Sequence, residues 1–262
     1  AYGFDNSGLS AQPAAVVLAR STSEIQALVR WCAEHSTPIT VRGRGTNTVG
    51  ATVPLRGGIV LSLEQMDQVL EYRPEDRMLR VEAGCLNNSV QERTRPDGLF
   101  WAPDPTSAAY SCVGGNLGCN AGGPHAVRYG TCRDNTLGLS AVLGDGSLIQ
   151  VGSQTTKSVT GLDLTRLLIG SEGTLGIITE ATLRLTPLPP ARTTIRAEFA
   201  SVDAAAAAVS ALLSRADYPA VCEFMDTRAV GLVRDTVDLH RNCAALLLLE
   251  FHGQLEQGAQ IS

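Results

Sequence analysis

A chain of 262 residues, 44% hydrophobic and 18% charged, is long enough to bury a core and to divide into two domains. Its net charge of −5, from 21 basic and 26 acidic residues without a block of either sign, argues against a nucleic-acid surface, and runs such as AAAAAVSALL and AALLLLEF are too short to span a bilayer. Seven cysteines without a C-x-x-C pair argue against a disulfide framework or a zinc or iron–sulfur motif, and predict free thiols in a reducing cytoplasm.

The chain opens on Ala1 without the basic start or apolar core of a signal peptide, which predicts a piece of a longer protein. AAVVLA and PITV read as strands flanking STSEIQALVRWCAEHS, where Ser21 and Glu24 have capping-box spacing and Ile25, Leu28, Val29 and Cys32 share one helix face. GIVLSL, QVLEY and RMLRVEAG read as strands, the last two joined by RPED; NNSVQERTRPDG predicts a short helix ending at Pro96. After an irregular, glycine-rich stretch, TLGLSAVLGDGSLIQVG reads as a hairpin turning at Gly144–Gly146 and GTLGIITEATLRLTP as a strand. Pro187, Pro189 and Pro190 mark the boundary, giving domains 1–188 and 189–262. TTIRAEFA, VDAAAAAVSALLSRAD, VCEFMD, RAVGLVRDTV and AALLLLEFHG then read as strand, helix, strand, helix, strand, followed by a short polar tail with no closing element. An α+β chain cut short is the expectation.

Four segments carry the chemistry. VRGRGTN puts two glycines and two arginines after a strand, so its amides can face an anion with charge added by Arg42 or Arg44; an ordinary tight turn fits these residues too. A dinucleotide fingerprint is disfavoured because no third glycine or helix follows, and no Gly-Lys-Ser/Thr of a P-loop occurs. In DPTSAAYSCVGGNLGCNAGG, glycines 114, 115, 118, 122 and 123 remove side chains beside Thr106, Ser107, Asn116 and Asn120. That leaves room for a bulky polar cofactor or for another protein segment. RYGTCRDN and IGSEGTLG are weaker signals of the same kind.

In this order, VRGRGTN, PDPTS, GGNLGCNAGG, YGTCRDN, LGDG and TGLDLTRLLIGSEGTLGIITEATLRL resemble the FAD-binding domain of the PCMH-type (vanillyl-alcohol oxidase) flavoprotein superfamily, over residues 10 to 190. The resemblance is to its glycolate oxidase and D-lactate dehydrogenase branch, and VCEFMDTRAV with LLLLEFHG resembles the start of that branch's cap domain. It implies a two-subdomain FAD-binding domain followed by the start of an α+β cap domain. It implies that amides of Arg42, Gly43, Arg44, Gly45, Thr46 and Asn47 hold the pyrophosphate. Pro103, Asp104, Thr106, Ser107, Gly114, Gly115, Asn116, Asn120, Gly122 and Gly123 would wrap flavin and diphosphate, with Tyr129, Gly130, Glu172, Gly173, Gly176 and Ile177 bordering the cofactor.

The implied reaction is oxidation of a glycolate- or D-lactate-type 2-hydroxy acid by hydride transfer to flavin, with electron-transfer subunits or a quinone as acceptor. The alternatives are a flavin-holding subunit of a heteromeric oxidase without substrate chemistry of its own, or another branch such as alkyl-glycerone-phosphate synthase or a sugar-alcohol oxidase. Residues 42 to 50 contain no histidine, so FAD is expected to bind noncovalently, with His125 the alternative attachment point. No catalytic base is identified. The divalent metal of many relatives is assigned to residues beyond this chain, and histidines 35, 125, 240 and 252, which lack ligand spacing, are read as surface or packing residues. The expected location is cytoplasmic, at most peripheral to the inner membrane.

Overall fold

The computed structural model of the protein describes residues 2–253. Its elements in chain order are β1 (Ala15–Leu18), α1 (Thr22–Glu34), β2 (Ile39–Arg42), β3 (Ile59–Ser62), β4 (Val69–Arg73), β5 (Met78–Glu82), α2 (Asn87–Thr94), β6 (Leu99–Phe100), α3 (Val113–Gly118), α4 (Ala126–Tyr129), β7 (Thr136–Val142), β8 (Leu148–Gly152), α5 (Leu164–Leu168), β9 (Ile177–Arg184), β10 (Thr186–Pro187), β11 (Ala191–Phe199), α6 (Val202–Leu213), β12 (Val221–Met225), α7 (Thr227–Val233) and β13 (Ala245–Gly253). Among the described residues they form two compact units: 2–122 with 131–187, and 123–130 with 188–253. The short segment 123–130 therefore packs with the second unit, although a linear division at the prolines leaves it in the first.

In the first unit, β1, β3 and β2 form a parallel sheet with β3 central, and α1 carries the crossover from β1 to β2. The start of α1 is fixed by Ser21, whose hydroxyl accepts from the Glu24 amide at 3.3 Å. The Glu24 carboxylate accepts from the Arg20 amide rather than from Ser21, a cap one residue wider than the expected box. Ile25, Val29 and Cys32 are the residues that α1 buries, and Ile25 and Val29 meet Leu61, Leu63 and Met66 in one cluster. The second sheet is antiparallel, in the order β4-β5-β9-β7-β8. Its inward residues Leu79, Val81, Leu139, Ala181 and Leu183 close over Val113 and Leu117 of α3 and over Trp101, whose indole N–H donates to the Asn135 carbonyl at 3.0 Å.

Two expectations are corrected in this unit. The helix after Asn87 does not stop at Pro96: α2 ends at Thr94 and a 3-10 turn, Arg95–Asp97, runs through the proline, which occupies an early position where a missing N–H costs nothing. The glycine-rich stretch, read as irregular, contains α3. The stretch folds there because Val113 and Leu117 enter the core, while the amides of Val113 and Gly114 donate to the carbonyls of Cys85 and Ala83 at 2.8 and 2.7 Å.

The second unit is built on the antiparallel sheet β11-β13-β12. Its central strand buries Ala245, Leu246, Leu247 and Leu249, and α7 adds Val230 to a small cluster with Leu246 and Cys243. No helix among the described residues is long and apolar enough to cross a membrane.

The two tryptophans offer a direct test of the core. Trp101 is fully buried, whereas Trp31 is 46% exposed and stacks on His35. Urea unfolding is expected to show Trp101→Ala destabilised by about 3–5 kcal/mol and Trp31→Ala by about 0.5 kcal/mol or less.

Candidate functional site

A cavity of about 410 Å³ opens in the first unit, and the turn after β2, α3 and the turn before β9 converge on it. Gly43, Arg44, Gly45, Thr46, Asn47, Thr106, Ser107, Gly114, Gly115, Asn116, Glu172, Gly173, Gly176 and Ile177 all line it. Segments dispersed along the sequence have thus become one surface. Val41, Leu63, Ala83, Cys112 and Ile178 supply apolar wall, and Thr48, Gly118 and Cys119 complete part of the rim. Most of these additions went unnoticed in the sequence because single apolar residues at strand ends carry no pattern.

The surface is mainly backbone and small side chains. Among the described residues, no protein acceptor takes the N–H of Gly45, Thr46 or Asn47, so three successive amides remain available to an anionic guest. Asn116 is buried, and its side-chain nitrogen has no hydrogen-bond partner. A buried donor without a protein acceptor costs about 1–3 kcal/mol unless a ligand or solvent supplies one. Arg44 keeps a half-exposed guanidinium 3.4 Å from Glu64.

Arg42 has a different task from the phosphate-binding charge considered for it. The residue is 7% exposed, and its side chain donates to the Phe4 carbonyl at 2.6 Å and lies beside Thr52 and the rings of Tyr2 and Phe4. It pins the N-terminal segment beneath the glycine turn. Asp5 belongs to the same support: its carboxylate accepts from the Ser7 amide at 2.9 Å and from the Thr52 hydroxyl at 3.4 Å. Burial alone would raise the Asp5 pKa, but the hydrogen bonds from Ser7 and Thr52 outweigh it and hold the carboxyl below its ordinary value.

Other expected residues stand outside the cavity lining. The Pro103 carbonyl accepts from Asn87, and Asp104 follows it in the chain. Asn120 acts as a latch, its oxygen accepting from the Thr131 hydroxyl at 2.9 Å and from the Arg133 amide at 3.0 Å. Gly122 closes the first segment of the first unit, while Gly123, Tyr129 and Gly130 belong to the second. Glu172, which does line the cavity, adopts φ +52°, a left-handed conformation uncommon for a residue with a side chain, and its amide donates to the Gly118 carbonyl at 2.9 Å.

In the second unit the fold joins polar residues whose sequence spacing suggested nothing. His125 Nε2 and His252 Nε2 lie 3.0 and 2.5 Å from Glu250 Oε1, and the Tyr129 hydroxyl is 2.6 Å from His252 Nδ1. The sequence pattern reads these two histidines as surface or packing residues; the fold joins them through Glu250, a contact that ligand-spacing rules miss because they see only local sequence. Burial works to raise Glu250 but the two histidines hold its carboxyl below the usual range; burial also lowers His252 despite that carboxylate. Burial raises the Tyr129 phenol.

Residues 13–152 match the family described as FAD binding domain, and residues 188–261 match FAD linked oxidases, C-terminal domain. The glycolate oxidase subunit GlcD of Bacillus subtilis is 40% identical over 258 residues, covering 97% of this chain and 55% of that protein. A D-lactate dehydrogenase of Anaerostipes hadrus is 36% identical over 84% of this chain and 46% of its own length; a D-2-hydroxyglutarate dehydrogenase of Stutzerimonas stutzeri is 33% identical over 99% and 57%. The chain spans about half the length of the curated relatives it matches. A solved structure of alkyldihydroxyacetonephosphate synthase superposes with a TM-score of 0.81 over 99% of this chain and 52% of that one at 20% identity, a likeness of fold.

Two measurements test the cavity's supports. A Cβ on Gly43 would lie 2.4 Å from Cys112 Sγ, whereas one on Gly118 meets nothing within 4 Å. Gly43→Ala is therefore expected to lose about 1–3 kcal/mol in denaturant unfolding, and Gly118→Ala to lose none. The depressed Asp5 contributes stability that is complete above the unfolded value of about pH 3.9 and disappears as pH falls through the folded value. The stability advantage of the native chain over Asp5→Asn is expected to shrink below about pH 4.

Proposed function

Because the chain belongs to the FAD binding domain family and its residues 188–261 match the C-terminal domain of FAD linked oxidases, we propose that the cavity of the first unit holds FAD noncovalently for oxidation of a D-2-hydroxy acid to the 2-oxo acid. The observation that carries the placement is the run of backbone N–H groups at Gly45, Thr46 and Asn47 without a protein acceptor, in a cavity also lined by Asn116, whose side-chain nitrogen has no hydrogen-bond partner. FAD, when bound, supplies the hydride acceptor.

The chain's own residues bind and orient. Amides of the 43–47 turn and the Arg44 guanidinium fit a diphosphate; Asn116 offers a donor to a polar edge; Val41, Leu63, Ile177 and Ile178 offer apolar surface to an aromatic ring. Gly173 and Gly176 add backbone to the same lining. The names of the glycolate oxidase, D-lactate dehydrogenase and D-2-hydroxyglutarate dehydrogenase relatives support the substrate class. The designation of one relative as a glycolate oxidase subunit supports partner subunits that carry electrons onward.

The purified chain is expected to be yellow or to become so with added FAD, and acid precipitation is expected to release the colour. Anaerobic bleaching by glycolate, D-lactate or D-2-hydroxyglutarate would assign the substrate; lasting colour would put essential groups in the other half of the relatives' length, and failure to take up FAD would refute the assignment. Gly118→Ala should weaken FAD binding without loss of stability. Cys119, exposed at the cavity rim, is expected to react with iodoacetamide more slowly once FAD is bound. Buried Cys85, its pKa pushed up to about 11 by burial, should stay unmodified in both states.

A further inference from the structure

We infer that His125, Glu250 and His252 form a binding site for a single divalent transition-metal cation in the second unit, with Tyr129 as the positioning residue for His252. The inference does not rest on the flavin reading, and the site lies within this chain rather than in the later residues to which the family resemblance assigns a metal.

Two regular elements deliver the four side chains. Glu250 and His252, two apart on β13, project from the same face of the strand. His125, the N-cap of α4, and Tyr129, its last residue, are four apart and lie on one side of that turn. The donor atoms of His125, Glu250 and His252 all lie within 4.8 Å of one another. Four-coordinate zinc with bonds of about 2.0–2.2 Å separates neighbouring ligand atoms by roughly 3.3 Å. The observed 3.0 and 2.5 Å contacts to Glu250 Oε1 thus need only modest outward movement to admit an ion.

The chemistry of the donors narrows the guest. Two imidazoles and one carboxylate suit zinc, cobalt or iron(II) and leave coordination positions for solvent or a ligand; calcium and magnesium prefer an all-oxygen set. His252 has its second nitrogen engaged by the Tyr129 hydroxyl at 2.6 Å, the outer-shell contact that fixes a ligating ring. Its side chain is 2% exposed, so the ring is already held in place. Arg192, 3.9 Å from Glu250 Oε1 with a 44% exposed side chain, is the competing cation and has solvent into which to withdraw.

The test uses the 262-residue chain, treated with chelator and dialysed. Titration with Co2+ is expected to produce ligand-field absorption bands at one ion per chain, and Zn2+ to displace it with a matching calorimetric stoichiometry. His125→Ala, on the half-buried helix, and Glu250→Gln should each weaken Zn2+ binding at least 100-fold while circular dichroism and the unfolding midpoint show a folded protein. Tyr129→Phe should weaken it about 10–100-fold, and Cys119→Ser should leave it unchanged. No saturable uptake, uptake indifferent to His125→Ala and Glu250→Gln, or uptake removed by Cys119→Ser would overturn the proposal.

Discussion

The cavity depends on how closely three stretches of main chain approach one another. The turn after β2, α3 and the end of β5 meet at Gly43, Gly114 and Ala83, where the Cys112 sulfur and the Ala83 methyl already occupy the space a side chain would need. With α3 seated on the Ala83 carbonyl, Asn116 and Gly118 turn toward the cavity, and Leu117 enters the core behind them. A bulkier residue at Gly43 or Gly114 would separate the turn from the helix. The binding surface and the core beneath it would then fail together.

The glycines divide into two classes on this account. Gly43 and Gly114 are small because protein atoms crowd them; Gly118 faces open space within the cavity lining, and Gly115 meets only the Cys112 sulfur at 3.4 Å. Only the second class leaves room for a guest. Electrostatics reinforces the division: Arg42, the more buried of the two arginines in the turn, is consumed in holding the N-terminal segment, which leaves Arg44 as the cationic group on the cavity wall. Backbone amides therefore provide much of the polar surface, and they do so without the entropy cost of ordering long side chains.

The strand and helix order was legible because periodicity, caps and turn residues are local. Ser21 marks the start of α1, and Gly144–Gly146 mark the turn between β7 and β8. The cavity was legible as separate glycine-rich segments, and the family resemblance supplied the reason to unite them. What stayed hidden was contact made at long range. Nothing in VRGRGTN distinguishes Arg42 from Arg44 until Phe4 and Thr52 appear beside one of them. Three glycines in six residues read as a helix breaker until Val113 and Leu117 are seen in the core, where burial outweighs propensity. His125 and His252 stand 127 positions apart, beyond any spacing rule, yet their rings are centred 5.4 Å apart.

That pair carries an argument about cost. Strand β13 begins with Ala245 and four leucines, most of them buried, and placing a carboxylate beside a nearly enclosed imidazole further along it requires compensation by donors of good geometry. Two imidazoles and the Arg192 guanidinium reach the same Glu250 oxygen, while Tyr129 occupies the remaining nitrogen of His252. Apolar packing would stabilise this sheet at least as well as such a network. A cation changes the comparison, because one ion satisfies both imidazoles and neutralises the carboxylate, turning a marginal hydrogen-bonded cluster into a set of strong ligands.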